Sequence, residues 1–300
     1  MEIKGKYDEW ACKYDEGVNM TRDMDLFVMQ RTIPFVFPVD QLNKKNVCIL
    51  ELGCGSGKNT LFLANYLMQF GNSNSVIACD FSLEMLSLAK KKLEKCLDNV
   101  KFLEMDISMK WNNIPDSSVD LVLFNLVLEH ISDLSHAFSE AYRVLRNEGM
   151  MFFSEYHPKR YVNGGAQFVD EKKRVNLVGS FLTRTKKDFI DSVEKSGFMK
   201  ISVSSWFDFN KNGKENSIPR LLTVLAKKKS VISRRIISLL SSVIHSSNLF
   251  LKKIRKSTLK VVFVIFILNK QFSNVIKDSN FDRSMMQSHT SLYVPLLLNF

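Results

Sequence analysis

From residue 46 onward, short apolar runs alternate with amphipathic segments, and this alternation constrains the fold more than any other feature. Runs such as Val119 to Phe124 are almost entirely apolar, which is typical of central strands in a parallel sheet. The pattern predicts strands at 47–51, 75–80, 100–103, 119–124, 150–154, 198–207 and 221–226, and helices at 61–70, 82–97, 132–146 and 185–196. Such a chain is expected to form a doubly wound, Rossmann-like α/β fold with a mostly parallel, seven-stranded sheet and an antiparallel edge strand.

Polar residues and glycines stand where the first four predicted strands end. Glu51 and the glycine-rich segment 53–57 end the first strand, and Asp80 ends the second. Asp106 and Asn125 follow the third and the fourth. Because ligands of open α/β sheets bind in the crevice at the carboxyl ends of the strands, we expect these residues to face one ligand site.

The glycine-rich segment has three interpretations. A phosphate-binding P-loop needs Gly at 52 and Ser or Thr at 59, where the chain has Leu52 and Asn59, so that interpretation fails. A dinucleotide fingerprint needs a third glycine where the chain has Lys58, although the two earlier glycines and Asp80 suit it. The pattern that fits without adjustment is ExGxGxG, over residues 51–57.

This pattern resembles motif I of the class I S-adenosylmethionine-dependent methyltransferases, and the resemblance extends over roughly residues 7–227. Residues 124–130 and 142–149 resemble later motifs of that family, with Asn-Glu in place of the usual Pro-Gly in the second of them. Residues 7–15 resemble its opening segment, which folds over the cofactor. Within the family, the chain is most similar to the type 11 group, which includes quinone-biosynthesis enzymes and many small-molecule methyltransferases.

The resemblance implies that S-adenosylmethionine is the cofactor and gives the strand ends their roles. The glycines would let the backbone approach the methionine part of the cofactor, Asp80 would accept from both ribose hydroxyls, and Asp106 would accept from the adenine amine. The complete predicted cofactor-binding set is Glu51, Gly53, Gly55, Gly57, Asp80, Phe81, Met105, Asp106 and Asn125. For Glu51 a second interpretation stays open, since an acid also interacts favourably with the N-terminus of a following helix.

The expected reaction is methyl transfer to a small-molecule acceptor without a metal. The cofactor supplies the leaving group, so the protein mainly positions the acceptor. If the acceptor is a hydroxyl, a base must remove its proton, and His130 and His157 are the predicted catalytic candidates because they follow the fourth and fifth strands. A structural role stays open for each. Tyr156, Arg160 and Gln167 are candidate substrate contacts.

Two alternatives to a small-molecule enzyme remain. A protein-directed methyltransferase is one alternative, and the feature that would distinguish it is whether the region around residues 156–181 forms a closed lid or an open groove. A non-catalytic scaffold would keep the fold and the cofactor without turnover. Methylation of nucleic-acid bases is disfavoured, because Leu126 Val127 Leu128 follows Asn125 where such enzymes usually carry Pro-Pro and an aromatic residue.

The positive charge of the chain is concentrated at its C-terminal end. The formal net charge is +11, but 230–300 holds ten of the 42 Lys and Arg residues and two of the 31 Asp and Glu residues. The remainder is too balanced to indicate a nucleic-acid-binding face. We expect residues 1–229 to form the methyltransferase domain and 230–300 a basic extension, amphipathic or poorly ordered. Through 230–268 this extension could contact a membrane surface or a protein.

The cysteines and the N-terminus predict a cytoplasmic protein. Five cysteines, all in the first third of the chain, show no CxxC or Cys/His spacing, which argues against a disulfide scaffold or a zinc site. The first nine residues contain acids and no apolar h-region, which argues against a signal or transit peptide.

Overall fold

Seven strands form one mixed sheet in the computed structural model, which describes residues 2–38, 42, 46–71, 73–162, 184–209 and 213–229. The strands are β1 (Cys48–Leu52), β2 (Ser75–Asp80), β3 (Val100–Glu104), β4 (Val119–Asn125), β5 (Leu145–Tyr156), β6 (Phe198–Trp206) and β7 (Leu221–Lys228). Their order across the sheet is β3-β2-β1-β4-β5-β7-β6. This arrangement confirms the predicted doubly wound fold.

The topological switch point of the sheet lies between β1 and β4: β2 and β3 follow β1 toward one edge, and β4 begins the half that extends toward the other edge. β1 and β4 pair in parallel, with Leu52 opposite Phe124, so their carboxyl ends lie side by side. β2 and β3 extend the sheet on one side, and β5 pairs in parallel with β4 on the other. β7 runs antiparallel to both β5 and β6, so the predicted antiparallel pairing lies at that end of the sheet, with β6 as the outermost strand.

Helices flank the sheet. They are α1 (Glu2–Trp10), α2 (Met20–Val36), α3 (Lys58–Met68), α4 (Leu83–Lys92), α5 (Leu134–Val144), α6 (Pro158–Val162) and α7 (Lys186–Lys195), with short 3-10 turns at Ala11–Lys13, Glu94–Asn99 and Leu128–His130. Asp133 caps α5 by accepting from the backbone N–H of Ser135 and His136. Thr185 and Asp188 form a capping box on α7.

The core occupies both faces of the sheet. All seven residues of β4 are buried, as the apolar run predicted. On one face Phe124, Phe138 and Phe153 pack together, and on the other Met29 and Ile33 of α2 lie in the core with β1. The core on both faces fixes β1 and β4, whose carboxyl ends carry the glycine-rich loop and Asn125.

Some element boundaries differ from the sequence prediction. α3 begins at Lys58 and not at residue 61, because Asn59 and Thr60 are buried polar residues that apolar periodicity does not count. The helix predicted to end at 97 stops at Lys92 and continues as a 3-10 turn. β5 begins at Leu145, five residues earlier than predicted, and contains Glu148 at φ +65°.

The chain divides into two compact units, Met1–Val231 and Ile232–Phe300. The second unit lies outside the described residues, as do the predicted membrane or protein contact through 230–268 and the candidate substrate contact Gln167. In the part that is described, no helix combines the length and apolar character needed to cross a membrane. The same residues contain no cluster of His, Cys, Asp and Glu suited to a metal ion.

Candidate active site

A cavity of about 730 Å³ opens at the carboxyl ends of β1 to β4. Residues at the carboxyl ends of these strands and in the turns after them line the cavity, and the N-terminal segment that includes α1 supplies further lining residues. Eight of the nine predicted cofactor-binding residues line it, namely Glu51, Gly53, Gly55, Asp80, Phe81, Met105, Asp106 and Asn125. The topology therefore brings almost the whole predicted set together.

The glycine-rich loop follows β1 in a conformation that side chains would obstruct. Gly53 has φ +71°, and a Cβ atom there would lie 2.5 Å from Cγ2 of Val127. Gly55 also has a positive φ, and its N–H donates to Oδ2 of Asp80 at 2.8 Å. The loop is thus held to the end of β2 with its backbone facing the cavity.

Gly57 is the predicted residue that does not line the cavity. It stands at the start of α3 with φ +78°, where a Cβ atom would lie 2.9 Å from Cβ of Ala89 in α4. The structure therefore places Gly57 at a close helix contact and a left-handed turn.

Asp80 is a buried carboxyl group at the end of β2. Its Oδ1 accepts from the N–H of Ser82 at 2.9 Å, while Oδ2 accepts from Gly55. Burial raises the pKa of Asp80, although these backbone donors act against the shift. Each oxygen keeps a second lone pair, so the side chain can accept further donors from a ligand in the cavity.

The turn after β3 contributes one exposed acid and two buried apolar residues. Oδ1 of Asp106 accepts from the N–H and the hydroxyl of Ser108, at 2.9 and 2.6 Å. Met105 and Ile107, on either side of it, are buried and line the cavity with it. An apolar surface beside a carboxylate suits a flat heterocycle with an exocyclic amine.

Three buried acids, Glu51, Asp25 and Asp80, form an acidic cluster that lines the cavity beside the glycine-rich loop. Oε2 of Glu51 accepts from the hydroxyl of Thr60 in the first turn of α3 at 2.7 Å, so this residue contacts both the following helix and the cavity. Burial, followed by the charges of Asp25 and Asp80, raises the pKa of Glu51 to about 8. A cation bound beside Glu51 would stabilise its ionised form.

Asp25, Asn59 and Arg22 also line the cavity, although the sequence pattern did not predict any of them as a site residue. Asp25 accepts from the side-chain amides of Asn59 and Asn125, each at 2.7 Å, so the amide oxygens of both asparagines are left buried without a hydrogen-bond partner. Arg22 lies 4.2 Å over the ring of Tyr14, and its Nε is buried without a partner. One sequence signal was present, since the polar residues Asn59 and Thr60 come directly before the apolar run 61–64.

The N-terminal segment 7–15 is fastened to the mouth of the cavity by its acids. Oδ1 of Asp8 accepts from the hydroxyl of Ser82 at 2.5 Å. Asp15 accepts from Ser56 and from Lys92, both at 2.7 Å. The segment that resembled the opening of the family therefore lies against the glycine-rich loop and α4.

The two candidate histidines occupy different environments. His130 lines the cavity, and its Nε2 lies 2.9 Å from the hydroxyl of Tyr7. His157 does not line the cavity; its Nδ1 accepts from the N–H of Lys159 at 3.2 Å, and its Nε2 lies 3.2 Å from the hydroxyl of Ser205. Burial, with nearby positive charges, lowers the pKa of His157 to about 4. These contacts favour a structural role for His157.

Tyr156 and Arg160 also lie outside the cavity lining. Arg160 forms an ion pair with buried Asp208 and donates to the carbonyls of Ile218 and Pro219, each at 3.0 Å. These bonds tie the start of the segment after β5 to the connection between β6 and β7. The described structure therefore does not bring either residue to the cofactor-binding set.

The strand order, the positive-φ glycine loop and the acid at the end of β2 define a class I S-adenosylmethionine-dependent methyltransferase fold. Residues 50–153, from β1 to β5, match the family model for the type 11 methyltransferase domain. This match over β1 to β5 agrees with the resemblance that the sequence motifs indicated.

Curated relatives come from bacteria and differ in their acceptors. The chain is 24% identical over 180 residues to the malonyl-[acyl-carrier protein] O-methyltransferase of Bacillus cytotoxicus, covering 58% of this chain and 56% of that one. It is 30% identical over 156 residues to the ubiquinone/menaquinone biosynthesis C-methyltransferase of Rickettsia bellii, covering 51% of this chain and 60% of the other. The chain therefore spans little more than half the length of these relatives.

A solved structure shows the same fold at low sequence identity. Magnesium protoporphyrin IX methyltransferase from Synechocystis PCC 6803, solved with bound S-adenosylhomocysteine, superimposes with a TM-score of 0.53 at 17% identity. The match covers 75% of this chain and 94% of the other.

Proposed function

We propose that this chain binds S-adenosylmethionine in the cavity and transfers its methyl group to a small-molecule acceptor. One observation carries the proposal: the cavity joins the positive-φ glycine loop to Asp80 and Asp106, the residues to which the family motifs assign the cofactor. The curated relatives support the reaction class, since both are named as methyltransferases.

The residues of the cavity fit the chemistry of this cofactor, which has an ammonium, a carboxylate and an adenosine. The unpartnered amide oxygens of Asn59 and Asn125, with Glu51 and Asp25 nearby, suit the ammonium. Arg22 suits the carboxylate, since its Nε still lacks an acceptor.

The remaining part of the cavity fits the adenosine. Asp80 would hold the ribose hydroxyls, and the apolar surface of Phe81, Met105 and Ile107 beside Asp106 would hold the adenine.

The protein's own contribution to catalysis is positioning and the exclusion of water. When bound, the cofactor supplies a methyl group and leaves as a neutral sulfide, so no protein nucleophile is required. The glycine loop and the acidic cluster would fix the donor, and segment 7–15 would shield it from solvent. His130 is the proposed base, because it lines the cavity and His157 does not.

The proposal is tested by following the methyl group. The purified chain is incubated with methyl-labelled S-adenosylmethionine and whole-cell extract, and the label is measured in the small-molecule filtrate and in the macromolecular retentate. We expect the label in the filtrate. Label confined to the retentate would move the acceptor to a protein or another macromolecule, and cofactor binding without label in either fraction would favour the scaffold alternative.

A further inference from the structure

Tyr7 of α1 meets Glu129 and His130 of the 3-10 turn that follows β4. The Tyr7 hydroxyl lies 2.9 Å from Nε2 of His130, and Oε1 of Glu129 lies 3.7 Å from the same nitrogen. The side chains of His130 and Glu129 are each only 9% exposed. The phenol and the carboxyl group thus both lie beside Nε2 of the imidazole, and the phenol and the imidazole line the cavity.

The turn that carries His130 is held from two sides. Oε1 of Glu155, on β5, accepts from the N–H of Val127 and Leu128, at 3.0 and 2.8 Å. Arg184 donates to the carbonyls of Leu128 and Ser132, at 2.8 and 3.1 Å. The imidazole is therefore fixed by the backbone that bears it as well as by Tyr7, as a group with a defined proton-transfer geometry requires.

We propose that Tyr7, His130 and Glu129 form a proton relay, and that the methyl acceptor is consequently a protic group such as a hydroxyl and not a carboxylate. This inference rests on the proposed function and deepens it by naming the acceptor class. Tyr7 would contact the acceptor directly, and His130 would act through Tyr7.

The relay has two proton transfers, and their net result is that the acceptor loses a proton and His130 gains one. The acceptor's proton passes to the Tyr7 oxygen while the Tyr7 proton passes to Nε2 of His130, and the imidazolium that forms lies beside Glu129. The lone pair left on the acceptor atom would form the bond to the methyl carbon, while the carbon–sulfur bond would break and leave its electron pair on the neutral sulfide. Burial, with Tyr14, Glu129, Asp80 and Glu155 nearby, raises the pKa of Tyr7, so the phenol gives up its proton only as it receives another.

The charges around Tyr7 argue against a carboxylate acceptor. Glu129, Asp80 and Glu155 all act on the Tyr7 hydroxyl in the same direction. A carboxylate placed beside the Tyr7 hydroxyl would lie close to the carboxyl group of Glu129, with which it would share the same poorly solvated region. A carboxylate is also already ionised at neutral pH and needs no base, so the relay would have no proton to take from it.

The first test needs no cofactor and no acceptor. The relay requires neutral His130 to carry its proton on Nδ1 and to accept from Tyr7 through Nε2. Nitrogen-15 chemical shifts of the imidazoles report this tautomer, and His130→Asn assigns the signal among the five histidines. We expect neutral His130 to be protonated on Nδ1, and we expect the nitrogen-15 shift of its Nε2 to change in Tyr7→Phe. A neutral His130 protonated on Nε2 would overturn the relay.

The second test uses the labelled product. Tyr7→Phe and Glu129→Gln should lower kcat by about 100-fold, as the loss of general-base assistance does, while the affinity for S-adenosylhomocysteine changes less than about twofold. The matched control is Tyr66→Phe, which loses a hydrogen bond from its hydroxyl to the carbonyl of Phe37; neither residue lines the cavity, so this variant should keep full activity. Unchanged kcat in Tyr7→Phe would refute the relay.

The acceptor class is read from the product itself. Mild alkali releases labelled methanol from a methyl ester, whereas methyl ethers and methylated carbon or nitrogen resist it. We expect the label to stay in the product, and release as methanol would identify a carboxylate acceptor and refute the class. Failure of the wild-type chain to label anything would instead defeat the proposed function, and with it the acceptor class, whatever the tautomer of His130.

Discussion

Among single residues, Asp80 connects the glycine loop to the proposed cofactor site. It accepts from Gly55 and Ser82, and it faces the cavity where the ribose hydroxyls would bind. Asp80→Ala should therefore weaken the binding of S-adenosylhomocysteine by about 100-fold or more, because two hydrogen bonds to a charged acceptor contribute about 3 kcal/mol. Isothermal titration calorimetry measures the change.

The control for this substitution is Asp116→Ala, which removes a largely exposed acid that pairs with Arg143 away from the cavity lining. Its affinity should match that of the unaltered protein. Equal affinities for Asp80→Ala and the control would contradict the placement of the ribose.

Glu51 gives a prediction in which stability and binding change in opposite directions. Its pKa is raised from 4.5 to about 8 in the folded chain. The folded protein thus holds a proton that the unfolded chain has lost between these pH values, so the free energy of unfolding falls as pH rises through that window. Glu51→Gln cannot ionise, and we expect it to melt at the same temperature as the parent at pH 5 and at a higher temperature at pH 8.

The same variant should bind the cationic cofactor more weakly, because a neutral amide replaces a carboxylate beside the ammonium. For the parent protein, affinity should fall as pH drops below about 8. Thermal melts monitored by circular dichroism and calorimetric titrations at the same pH values give both quantities. A stabilised variant that binds as tightly as its parent would show that Glu51 does not contact the ammonium.

At the scale of structural elements, the glycine loop depends on a close contact as well as on its backbone conformation. A Cβ atom at Gly53 meets Val127 at 2.5 Å, whereas Gly17 has a similar φ of +82° with nothing within 4 Å. Gly17→Ala therefore measures the cost of a positive φ alone, about 1 kcal/mol. Gly53→Ala should cost clearly more, about 2 to 4 kcal/mol, and should also weaken cofactor binding. Chemical denaturation compares the two variants, and equal costs would contradict the contact.

The sequence predicted the elements best where burial and periodicity coincide. β4 is buried along its whole length, and the acid ending β2 reaches the crevice because parallel strands finish at one edge of the sheet. Gly57 shows what motif spacing does not distinguish. The motif grouped it with the cofactor-binding glycines, whereas in the structure it lies at a close contact with α4 and outside the cavity lining. Asp25 and Asn59 were missed because they form a polar pair across two helices, and the polar residues at the start of α3 do not by themselves identify the partner on α2.

At the scale of the whole molecule, the methyltransferase fold and its cavity lie within Met1–Val231. Deletion of 230–300 should leave the affinity for S-adenosylhomocysteine unchanged within about twofold, because every residue that lines the described cavity precedes 133 in the sequence. Calorimetry on the truncated and full chains tests this prediction. A large loss of affinity would show that the basic extension takes part in the cofactor site.

A crystal structure of the full chain with S-adenosylhomocysteine would show directly whether the cavity at the ends of β1 to β4 is the cofactor site. We expect the ribose hydroxyls within hydrogen-bonding distance of Asp80, the adenine against Met105 and Asp106, and the amino group beside Asn59 and Asn125. A ligand bound elsewhere, or in this cavity with its adenine at the acidic cluster, would contradict this expectation.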